Sequence, residues 1–488
     1  MKRWLKWGGI MFWVLVFAVI GFFSLFALYH LIENRLGAAR WAETKSDYAA
    51  KVNGFDPQLL IPPPISRDQN FAETPIWRRF EQYKKVQGKE TIKVALFTAN
   101  DAARAAAKKQ SANWLLGQPT QPPDPALFDG TESELTELYT AAEKPLCRFN
   151  IDYTHSPAYG IPLPQTRPLM SLAQALRWHA LLSLSQQQPN VAIKDMTLSL
   201  RLAAASEDCP LLIMGLIGSS IRQMNWSLIW QGIESHAWTD EQLALFQSEM
   251  SRVNELKSYG LYMRSELCLC LLPMLDLLQH NPHKLKQSIP ASKESESPFY
   301  NISWGPYTSK LLIGFILNSS DTYDDARYQA CHILLDELLP VVDSEQHRFY
   351  ADRIPDLDKT ILSLRRNVPN LILGLGVGQL QNTALRFSES QARTDLALVA
   401  CGLERYWLAN KKYPATLAEL EPRLIERVPH DLCNGEPLHY RVEADGNYTL
   451  YSVGFNGVDD GGKVVMKKES TTAIDPQQGD WVWPRLKR

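Results

Sequence analysis

The sequence lacks what most catalytic and nucleic-acid-binding classes require. It has no GxSxG nucleophile elbow, no Walker phosphate loop, no HExxH and no paired CxxC, so those signatures of hydrolase, nucleotide and zinc sites are missing. It has no excess of positive charge. The 51 basic and 53 acidic residues give a formal −2, and nucleic acid, which needs a basic stripe, is not expected as a partner. Nor is it depleted in apolar residues: 45% hydrophobic and 21% charged is a globular composition, not a disordered one. Seven cysteines, an odd count without close pairing, do not make a disulfide framework. Most are expected to be small buried hydrophobes, with one or two bridges left open.

What is present begins at the N-terminus. Ile10 to Ile32 is an apolar run whose only ionisable residue is His30. As a helix rising about 1.5 Å per residue it spans roughly 35 Å, enough to cross a bilayer core. It exceeds the roughly 7–15 residues of a signal-peptide core, and Gly37, Ala38 and Ala39 make a poor cleavage site. An uncleaved anchor is the reading. Lys2, Arg3 and Lys6 keep the tail in the cytoplasm by the positive-inside rule. A single-pass protein of the inner (cytoplasmic) membrane is expected, its C-terminal part periplasmic or extracytoplasmic.

At 488 residues the chain is too long for one ordinary core. The expected divisions are the tail and anchor (1–33), a stalk with a helical and Pro-rich region (34–168), an α-helical domain (169–385) and a small α+β head (386–488). In the third, Leu169, Leu172, Ala173, Leu176 and Ala180 mark one helical face. Thr239 with Gln242 is a capping box, and Pro273 predicts a kink. Strand signals are nearly absent there, so the expected fold class is mainly α, with a bundle or solenoid-like middle. In the fourth, a helix over Glu389–Asn410 precedes alternating strands around an Asp445-Gly446 turn, the sign of a hairpin. One helix on a small sheet is expected to fold alone from about Ser388.

The order Tyr406-x6-Tyr413-Pro414, Leu417-x2-Leu420, Val428-Pro429-x-Asp431, Gly435-x-Pro437-x2-Tyr440 and Tyr451-Ser452-x-Gly454-x-Asn456-Gly457 resembles the head domain of type II secretion pseudopilins, most of all the major pseudopilin. A pseudopilin carries a processed assembly helix continuous with its head. Here the anchor lies far upstream, so filament assembly does not transfer with the resemblance. The whole chain is similar to large, uncharacterised bacterial single-pass membrane-anchored proteins. The resemblance implies a calcium loop, with Asn456, Asp459, Asp460 and Asp480 as its ligands. The plain reading of the same residues is an Asp/Gly turn.

Other candidates are weaker. Gly374 to Gly378 lacks the third glycine of a dinucleotide loop. His280 and His283 are separated by Pro282, and Asp324-Asp325 sits at a helix start, where acids favour the dipole. Trp226, Trp230 and Trp238 fall at helical spacing and read as core. The function expected is a membrane-anchored extracytoplasmic scaffold or protein-interaction protein, linked to secretion or the cell envelope, with the membrane and proteins as partners. The competing class is an extracytoplasmic hydrolase with its site in the helical domain.

Overall fold

The computed structural model describes residues 35–83, 85–86, 89–90, 93–107, 113–153, 160–280, 321–354, 359–360, 368–378, 380, 382–470 and 473–485, with scattered positions between 17 and 32. The apolar run expected to anchor the chain lies mostly outside them. Among the described residues no helix is long and apolar enough to cross a membrane.

The protein is mainly helical, with small antiparallel sheets near its C-terminus. Its helices are α1 Pro75–Gln82, α2 Ala95–Ala107, α3 Glu132–Ala141, α4 Thr166–Ser185, α5 Pro189–Glu207, α6 Leu212–Glu234, α7 Asp240–Met250, α8 Glu255–Ser265, α9 Leu272–His280, α10 Asp321–Cys331, α11 Val368–Gly378 and α12 Thr383–Asn410. The local causes are those the sequence announces. Leu169, Leu172, Ala173, Leu176 and Ala180 are all buried. Pro189 opens α5, where its missing N–H is no loss. The Thr239/Gln242 capping box opens α7.

Proline shapes two helices through π turns. Glu266–Leu271 joins α8 to α9 as a π segment, closed by Leu272 N–H donating to the Leu267 carbonyl, just before Pro273. His332–Leu338 follows α10 the same way, closed by Leu339 N–H on Leu334, just before Pro340. A proline cannot donate to the helix ladder, and the wider turn absorbs the mismatch without breaking the rod. The α8–α9 rod lies against α10 and its π segment. Tyr259 Oη donates to the Leu338 carbonyl at 2.7 Å near one end, and Arg327 Nη2 to Asp276 Oδ1 at 2.6 Å near the other.

The middle is a bundle. Helices α4, α5 and α6 pack on one another, and α12 returns from the C-terminal region to pack on α6, α7 and α8. A solenoid, whose repeats touch only their neighbours, lacks such contacts.

The strands are β1 Lys85–Val86, β2 Lys89–Glu90, β3 Val342–Asp343, β4 Arg348–Phe349, β5 His439–Val442, β6 Tyr448–Ser452, β7 Val464–Met466, β8 Ile474–Gly479 and β9 Trp481–Trp483. The Asp445-Gly446 hairpin forms, with Gly446 at φ 80°, a conformation open to glycine. Strand β7, after the glycine-rich loop, pairs with β8. The third strand of the main sheet is β9, beside β6.

The cores ignore residue 386. One contains Leu169, Tyr259, Leu334, Phe387 and Trp481. The other contains Trp226, Trp230, Leu396, Tyr448 and Trp483. Trp230 Nε1 donates to the Pro484 carbonyl at 2.8 Å, and Trp226 Nε1 to Thr394 Oγ1 at 3.2 Å. The three tryptophans at helical spacing are core, as expected.

Candidate functional site

The four residues implicated in calcium binding come together between β6 and β9, but as a hydrogen-bonded turn. Asp480 Oδ1 accepts from Asp460 N–H, and its Oδ2 accepts from the N–H groups of Gly462 and Lys463, at 3.2, 2.6 and 3.1 Å. Asp459 Oδ1 takes Tyr451 Oη and Gly461 N–H, both at 2.9 Å. The Asn456 amide donates to Asp460 Oδ2 at 3.0 Å. Calcium needs six to eight oxygens converging at about 2.3–2.6 Å. Here the carboxylate oxygens face N–H and O–H donors instead, and Asp480 serves as the anion that closes the turn. Among the described residues no three His, Cys, Asp or Glu side chains form a group that holds a metal.

Histidines paired with buried acids are what the sequence did not announce. His179 Nδ1 on α4 meets Asp195 Oδ2 on α5 at 2.7 Å, and Tyr139 Oη from α3 donates to Asp195 Oδ1 at 2.5 Å. His236, in the turn after α6, meets Glu404 on α12 at 2.7 Å and stacks on Trp407, centroids 3.8 Å apart. His347, between β3 and β4, meets Asp395 on α12 at 2.7 Å. Partners 16, 168 and 48 positions apart leave no local spacing to read. A fully buried ion pair joins them: Arg222 on α6 donates twice to Glu255 Oε1, at 3.1 and 2.8 Å, and also pairs with Glu207. Ser390 Oγ on α12 donates to the same Glu255 oxygen at 2.8 Å.

Each pair ties two or three elements together. His179 resembles part of a catalytic relay, which needs a nucleophile on the other ring nitrogen. Among the described residues no hydroxyl or thiol is hydrogen-bonded to His179 Nε2. The pairing does carry a pH signature. Burial opposes the imidazolium, but the bond to Asp195 outweighs it and raises the His179 pKa above the ordinary 6.5. A pKa raised on folding means the native state holds the proton more tightly. The stabilisation is therefore complete below about pH 6.5 and is lost as pH climbs through the raised native value. Urea midpoints measured across this window should fall for the native protein and run flatter for His179→Asn. Parallel profiles would contradict the assignment.

The remaining candidates resolve into packing. Gly374 to Gly378 lies within α11, where a Cβ at Gly376 would stand 3.0 Å from Leu271 Cδ2. Asp324 pairs with Arg327, and Asp325 with Arg40 and Asn370. His280 ends α9 with Nδ1 on the Asp276 carbonyl, and His283 lies outside the described residues. The seven cysteines are free thiols, six of them buried.

A space of about 490 Å³ opens where α6 begins, beside the π segment and the first turn of α12. Its walls include Leu163, Leu212, Ile213 and Leu216, with Glu266 and Arg386 as its charged members. Burial raises the Glu266 carboxyl, while the Cys270 side chain and the Leu212 backbone bond it and pull the other way. Nothing in the sequence pattern marked this place, because its lining comes from four separate stretches of chain. No family model, no curated protein and no solved structure matches the chain, so the likeness of the last hundred residues to a pseudopilin head rests on the residues themselves.

Proposed function

We propose that this chain is a membrane-anchored extracytoplasmic scaffold or protein-interaction protein of the cell envelope, its anchor being the apolar run Ile10 to Ile32. The observation that supports it most is how the residues just after that run are held. Residues 35–48 are helical and continue as a 3-10 turn over Ala49–Phe55. They lie on the body instead of forming a free stalk. Val52 is 1% exposed, Trp41, Tyr48 and Phe55 pack on the first core, and Arg264 Nε donates to the Lys51 carbonyl at 2.7 Å. Lys51 pairs with Asp336 and Arg40 with Asp325. A chain anchored ahead of residue 35 would hold its folded mass close to the bilayer, with little slack.

The histidine–acid pairs favour this reading over a hydrolase, since their geometry braces helices. An alkaline phosphatase fused after Arg488 should be active, and a cytoplasm-dependent fluorescent protein at the same place should be dark. Photo-crosslinkers at the exposed Leu245 and Val458 should give discrete protein adducts in cells. The reverse reporter pattern would overturn the orientation, and an absence of adducts would overturn the scaffold role.

A further inference from the structure

We propose that the cavity at the start of α6 binds a single-chain amphiphile, with its hydrocarbon tail among Leu163, Leu212, Ile213 and Leu216 and its anionic head at Arg386. This goes beyond the scaffold reading and does not require it.

The cavity has the size and character of a ligand site. Pockets for small ligands run to about 300–1,000 Å³, mostly apolar with a few convergent polar groups, and this one measures about 490 Å³. Its apolar wall reaches the surface: Ile213 is 51% exposed although it belongs to the first turn of a long buried helix. The hollow is thereby open to the surface along an apolar side.

The polar side is lopsided. Among the described residues Arg386 is the only cation lining the cavity. It stands exposed in the first turn of α12, where its backbone N–H bonds the Asn382 carbonyl, and among the described residues its guanidinium has no ion-pair or hydrogen-bond partner. Other arginines of this region are engaged: Arg222 with Glu255, Arg264 with Lys51 and Gly260, Arg393 with Glu389. Glu266 does not supply the missing partner. Its carboxyl is turned to the Cys270 side chain and the Leu212 backbone, on the π segment's side. Asn382 and Thr383 stand beside Arg386 at the same rim. An apolar hollow ending at one unpaired cation is complementary to a tail that ends in one anion. A carboxylate and a phosphate monoester share that chemistry.

The test uses the full chain in nanodiscs of zwitterionic lipid and a palmitate carrying a terminal photoreactive diazirine. Label should appear in peptides containing Leu212, Ile213 and Leu216. Unlabelled palmitate or lysophosphatidate should compete it away, and the better of the two identifies the head as carboxylate or phosphate. Hexadecanol, with the tail but no charge, should compete about five-fold less well. Arg386→Glu, at an exposed position where folding is not at stake, should weaken the anionic competitors about five-fold or more and leave hexadecanol unchanged. A circular-dichroism melt matching the native protein would verify its fold. Label confined to residues 10–32, or to a segment of the chain seated in the cavity, would overturn the proposal. So would hexadecanol competing equally well, or Arg386→Glu leaving every competitor unchanged.

Discussion

Replacing Trp230 by alanine is expected to cost about 3–5 kcal/mol of folding stability, the range for emptying an aromatic site in a close-packed core. Trp230 is wholly buried on α6, with its ring 6.2 Å from that of Trp114. Its indole N–H holds the Pro484 carbonyl at 2.8 Å, beyond the last strand of the sheet. Truncation removes both the packing and the tie, and it strands a carbonyl that costs about 1–3 kcal/mol if left dry. Trp230→Phe separates the contributions. It keeps much of the ring and should lose about 1–3 kcal/mol for the broken bond and the carbonyl it strands, plus a packing penalty smaller than that of alanine. Urea unfolding followed by near-UV circular dichroism measures both. A cost below about 1 kcal/mol for Trp230→Ala would mean that the head end of α6 is not held in this way.

How much of this was legible follows from the range of each signal. The α4 face, the α7 capping box, the stop after Asn410 and the Asp445-Gly446 hairpin are written in residues a few positions apart, and all of them form. Lys411 takes φ 56° and its N–H returns to the Trp407 carbonyl, which ends the helix at Asn410. Strand β9 was missed because three residues, two of them tryptophan, carry no visible alternation. The π turns were missed because only Pro273 marked the first, and it announced a kink without the wider turn that precedes it. The candidate sites were the least legible. Asp459 and Asp460 look like ligands in a line of text, yet backbone N–H groups, invisible in that text, surround Asp480. His347 and Asp395 meet only because α12 threads the bundle. Nothing local could have paired Glu255 with Arg222.

The continuity of the core across residue 386 is the structural basis for reading this chain as one body, held from the helix at residues 35–48 to its C-terminus. That body is tested most directly by removing the C-terminal part. The fragment 386–488 contains most of α12 and all of strands β5 to β9, so by topology it is complete. By packing it is not. Phe387 lies against Tyr262, ring centroids 5.4 Å apart, Trp483 against Trp114 at 5.8 Å, and Trp481 against Phe349 at 6.5 Å. Ser388, Thr394, Val399 and Cys401 are buried within 1% of completely, on sides of α12 that also face α6, α7 and α8. Cut free, the helix would expose an apolar surface that a sheet of short strands covers only in part. The decisive measurement is a thermal melt of fragment 386–488 by near-UV circular dichroism, beside the full chain. The fragment should show no cooperative transition and should be rapidly proteolysed at 25 °C. A sharp melt with native-like aromatic signal would contradict it, and would restore a separable head on the far side of residue 386.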